Sequence, residues 1–73
     1  MRSRADEIFD AAMEDLDHDD KYVECALDSI NGGGSELALV PVIACLDNLK
    51  SKKKFWWEDE AREIVAEYIK PRR

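Results

Sequence analysis

Leu37-Ala38-Leu39-Val40-Pro41-Val42-Ile43-Ala44-Cys45-Leu46 carries no charge and no hydrogen-bonding polar side chain, in a chain of which 38% is charged. Such a run must go inside. It falls short of the roughly 20 apolar residues that span a bilayer. It is apolar all round rather than along one stripe, the pattern of a central element covered by its neighbours. Val40, Val42 and Ile43 are β-branched, so a strand competes with a helix here. No second strand candidate exists to pair with it, which favours the helix. Pro41 removes one hydrogen bond from that helix. Either a helix capped by Ser35 kinks at Pro41, or the regular helix begins close to Pro41 itself.

Outward from this run, Gly32, Gly33 and Gly34 predict the end of a preceding helix and a flexible joint. That preceding helix places Tyr22, Val23, Ala26, Leu27 and Ile30 on one face. Asp17, His18, Asp19 and Asp20 before it read as a turn and a new cap, because aspartate is poor in helix interiors and good at caps. At the N-terminal end, Ser3 is a candidate cap with Asp6 and Glu7 in the first turn. Ala5, Ile8, Phe9, Ala12, Met13 and Leu16 then recur at spacings of three and four, an amphipathic stripe.

Downstream, Lys50, Lys52, Lys53 and Lys54 suit a helix C-terminus. Phe55, Trp56 and Trp57 lead into Glu58, Asp59 and Glu60, the acidic first turn of a further helix. Its face is Trp57, Ala61, Ile64, Val65, Tyr68 and Ile69, and Pro71 stops it. The expected fold is all-α: a compact bundle of four short helices over residues 1–73, a single domain whose third, hydrophobic helix is central.

A chain of 73 residues buries only about 60–65% of the surface its unfolded form exposes. Self-association as a homodimer is one way to supplement so small a core. Net charge is −6, divided as −7 over residues 1–34 and +1 over residues 35–73. An acidic protein is repelled at long range by nucleic acid and by anionic membranes, so neither is an expected direct partner. Cys25 and Cys45 form no Cys-x-x-Cys pair, and no apolar signal region follows Met1. A cytoplasmic protein with reduced, buried thiols is expected, with a Cys25–Cys45 bridge between neighbouring helices as the lesser alternative.

Candidate chemistry is sparse. Asp15, Asp17 and Asp19 match the first, third and fifth positions of a calcium loop, but the sixth and twelfth positions are Asp20 and Ala26 instead of glycine and glutamate. An acidic interhelical turn accounts for them. His18, Cys25 and Cys45 fall one ligand short of a structural zinc site. The glycines lack the lysine and hydroxyl of a phosphate loop, and neither cysteine has a histidine placed to activate it. No cofactor and no enzymatic activity are expected.

Two surfaces remain. The basic run Lys50 to Lys54, with Lys53 and Lys54 nearest Phe55, Trp56 and Trp57, matches a nucleic-acid patch in composition, though the acidic remainder of the chain opposes phosphate binding. Adjacent residues on a helix point about 100° apart, so Trp56 and Trp57 cannot both face one narrow core. An exposed tryptophan next to lysines is a residue type enriched at interaction hot spots. The second surface is a line of carboxylates, including Asp10, Glu14 and Asp17, along the first two helices. It suits a mimic of DNA phosphates that occupies a basic groove on another protein, although solubility alone explains charged outer faces. The functional expectation is a non-enzymatic protein–protein interaction module, with the acidic inhibitor as alternative.

Overall fold

A computed structural model describes residues 2–49 and 53–70, through which three helices run rather than four. The first, α1, spans Arg4–Asp15. Ser3 accepts from the Asp6 amide at 3.2 Å while the Asp6 carboxylate accepts from the Ser3 amide at 3.0 Å. This reciprocal box satisfies two orphan donors of the first turn. At the other end His18 Nε2 donates to the Met13 carbonyl at 2.6 Å. Asp20 then caps α2, its carboxylate accepting from the Tyr22 amide at 2.8 Å.

The expected second and third helices are the two limbs of one element, α2, Lys21–Asn48. Of the three glycines only Gly34 leaves the helical basin, at φ 87° and ψ −178°, and there the axis kinks. Gly32 and Gly33 stay helical, so the break is confined to Gly34, where the two helical limbs meet at the kink. Gly33 also serves packing: a Cβ there would lie 2.2 Å from Leu37 Cδ2. Ser35 does not act as the expected cap. Its side chain is buried and its hydroxyl donates to the Asp6 carboxylate, tying the second limb to the start of α1. Pro41 sits inside that limb with helical geometry around it, so the kink belongs to glycine and not to proline.

The third helix, α3, spans Glu58–Tyr68 and follows a turn at Trp56 and Trp57. Both α1 and α3 pack chiefly on α2. Ile8, Val23, Ala26, Leu39, Val42, Trp57 and Ala61 are sealed from solvent in one cluster drawn from all three helices. Within the uncharged decapeptide Ala38, Leu39, Val42, Cys45 and Leu46 are buried and the other five are half-buried. Phe55 stacks on Trp57 with ring centroids 5.0 Å apart and planes inclined by 16°. The indole Nε1–H of Trp57 reaches Asp15 Oδ2 at 2.6 Å, closing the joint between the end of α1 and the start of α3. The radius of gyration, 11.6 Å, is that of a compact chain of this length, for which ~11 Å is usual.

By length and composition alone α2 is apolar enough to cross a membrane. Its buried apolar residues are nevertheless those that form the common core, and Glu24, Asp28, Glu36 and Asp47 interrupt it. Two further expectations need correction. Cys25 is exposed, and only Cys45 is buried; both are free thiols on different limbs of α2. The apolar stripe of α3 is buried only as far as Val65, because the last turn runs past the residues that pack on it and leaves Tyr68 and Ile69 exposed. Pro71, Lys50 and Lys52 lie outside the described residues.

Candidate functional site

The turn before α3 separates the two tryptophans completely. Trp57 is fully buried, whereas Trp56 keeps 71% of its surface in solvent. A lone exposed aromatic is ordinary, but one that belongs to a larger apolar patch is informative. Trp56 lines an open groove of about 740 Å³, with Tyr68 and Ile64 also on its walls. The remaining lining is Glu36 from α2 and Asp59, Glu60, Glu63 and Glu67 from α3. Asp59, Glu63 and Glu67 are each four residues apart, so they form a ladder with a rise of about 6 Å per step along one flank of the helix.

These carboxylates are not equivalent. Glu60 is held by the Arg4 guanidinium through both oxygens, which keeps its carboxyl below the usual range. Asp59 takes the Lys54 ammonium at 3.0 Å, and that hydrogen bond raises the lysine above its ordinary value. Arg62, on a different flank, bridges Asp47 at 2.9 Å and Glu58 at 3.5 Å. Among the described residues Glu36, Glu63 and Glu67 make no ion pair. The groove therefore combines two exposed aromatic rings with three carboxylates that no described residue pairs with.

The residues singled out from sequence fall into two groups. Trp56 lines the groove and Lys54 pairs with its lining residue Asp59, while Lys53 lies over the Phe55 ring at 5.3 Å from its centroid. Asp10, Glu14 and Asp17 belong to α1 and the turn after it, and do not line the groove. Asp10 is bridged by Arg2, and Asp17 accepts from the Asp19 amide at 2.9 Å. Asp6 and Asp20 on the same acidic surface are likewise engaged, by Ser35 and the Tyr22 amide, and the nearby Asp15 by Trp57. Much of that surface is thus the hydrogen-bonding apparatus of the helix ends.

The same holds for the imagined calcium ligands, since Asp15 serves Trp57 and Asp17 serves the turn. Among the described residues no three His, Cys, Asp or Glu side chains converge as metal ligands. Cys45 is pushed up to about 11 by burial and by the neighbouring Asp20 carboxylate, far from the thiolate a nucleophile needs. Glu36, Glu63, Glu67 and Tyr68 were missed from sequence as site residues. The four-residue spacing of the acids was the available signal, but it reads as the outer face of any amphipathic helix. Comparison with protein-family models, curated proteins and solved structures finds no match for this chain.

Proposed function

We propose that this chain is a non-enzymatic protein–protein interaction module that docks a partner on the surface around Trp56. One observation carries the reading: a tryptophan 71% exposed on a domain whose other tryptophan is fully buried. A large rigid aromatic left outside a core this small loses no stability when a partner covers it, and such anchors dominate interface energetics. Tyr68 on the same groove extends the contact surface. The acidic-inhibitor alternative has less support, because Asp6, Asp10, Asp17 and Asp20 are already engaged within the fold, which leaves Glu14, Glu24 and Asp28 of that surface. The free thiols of Cys25 and Cys45 suit a reducing, cytoplasmic setting.

The test is affinity capture from extract of the native host, comparing the wild-type chain with Trp56→Ala. A partner retained by the wild type should be lost or reduced at least about tenfold with the variant. Equal retention by both would refute a Trp56-centred surface. Light scattering across a concentration series separately reports whether the partner is a second copy of the chain.

A further inference from the structure

We infer that the groove between Trp56 and Tyr68 takes a lysine- or arginine-rich segment of a partner protein. This rests on the reading of the Trp56 surface as a docking face and adds the chemistry of its occupant. Aromatic rings alone would accept any apolar side chain. Here they share the groove lining with Glu36, Glu63 and Glu67, none of which is neutralised by an ion pair among the described residues. An apolar ligand would have to cover those charges without compensating them, which is costly. A cationic side chain satisfies both kinds of wall, pairing with a carboxylate through its head and lying on an aromatic face with head or stem.

Spacing supports a segment over a single cation. Glu63 and Glu67 are one helical turn apart, about 6 Å along the axis. A basic helix with cations four residues apart repeats at the same distance. The groove follows α3, whose eleven residues are about 16 Å long. That length accommodates two or three such contacts. A second copy of this chain is a poorer occupant: each copy carries −6, and like charges oppose their approach. The same negative field draws a basic segment in.

The probe is a fluorescein-labelled, alanine-based helical peptide with lysine at every fourth position, beside a counterpart with glutamine in place of lysine. Fluorescence anisotropy should show binding of the lysine peptide that weakens steeply with added salt. Glu63→Gln with Glu67→Gln should weaken it roughly two- to thirty-fold, the range for two solvent-exposed pairs. Trp56→Ala should weaken it by about tenfold or more. Asp10→Asn with Glu14→Gln, on the other acidic surface, should change it less than about twofold. All these positions are exposed, so circular dichroism should confirm an unchanged fold.

Equal weakening by the α1 pair overturns the assignment, since binding then follows net charge and not the groove. No preference for lysine over glutamine overturns the choice of occupant; if Trp56→Ala still abolishes binding, the docking surface itself stands. If Trp56→Ala leaves every interaction intact, both fail together. A dimer that Trp56→Ala dissolves also overturns the proposal, by identifying the occupant as a second copy.

Discussion

Three adjacent glycines should respond to alanine in three different ways, and the contrast tests the central kink directly. Gly34 occupies φ 87° and ψ −178°, with open space where a Cβ would stand. That backbone region is essentially closed to residues with a Cβ, and forcing one into it costs on the order of 1–3 kcal/mol. The penalty is backbone strain alone, because no neighbour crowds the site. Gly32 is helical and equally open. There alanine should stabilise by about 0.4–1 kcal/mol, through helix propensity and a less disordered unfolded chain. Gly33→Ala lies between these cases, since its Cβ would meet Leu37 Cδ2 at 2.2 Å and the leucine must turn aside. Domains of this size are held by about 4–11 kcal/mol, so the Gly34 effect is a large fraction of the total. Urea melts followed by far-UV circular dichroism would give the order Gly32→Ala, wild type, Gly34→Ala in decreasing midpoint. Thermal midpoints should fall by roughly 5–20 °C for Gly34→Ala. If Gly34→Ala stabilises as much as Gly32→Ala does, the long helix is straight and the kink is refuted.

Three other perturbations probe the joints of the fold. Trp57→Phe removes the indole donor to Asp15 and should destabilise by about 2 kcal/mol in a urea melt, whereas Trp56→Phe should stay within ±0.5 kcal/mol; similar losses at both would contradict their opposite environments. The Asp6 carboxyl is held below its usual range, first by the Ser35 hydroxyl and then by the Ser3 amide, so its charged form is favoured by folding. Its contribution is therefore present above the ordinary aspartate value of about 4 and lost as pH falls through the depressed folded value. Asp6→Asn should flatten the acid limb of a stability–pH curve, and an unchanged limb would sink the argument. Iodoacetamide at about pH 8 should label the exposed Cys25 in the native protein and spare Cys45, whose thiol burial pushes up to about 11. Mass spectrometry showing equal labelling without denaturant would disprove that burial.

What could be read from residue order is what short-range chemistry controls. The Ala5–Leu16 stripe, the Ser3 cap with its acidic first turn, the Asp17–Asp20 turn and the interior place of Leu37–Leu46 all depend on neighbours within a few positions. Helix geometry predicts that adjacent Trp56 and Trp57 differ in exposure, but they lie in a turn, and packing there makes Trp57 the buried one. Residue order did not decide whether Gly32–Gly34 ends a helix or bends one, since glycine permits both and long-range packing selects between them. Nor could it show that Ser35 spends its hydroxyl on Asp6, 29 positions away, or that Trp57 reaches back to Asp15. The groove is the clearest case. Glu36 joins Glu63 and Glu67 only because the second limb of α2 lies against α3, and Tyr68 becomes a wall because packing on α3 stops at Val65. Periodicity says which residues share a helix face; only the crossing of helices says which faces meet and which stay bare.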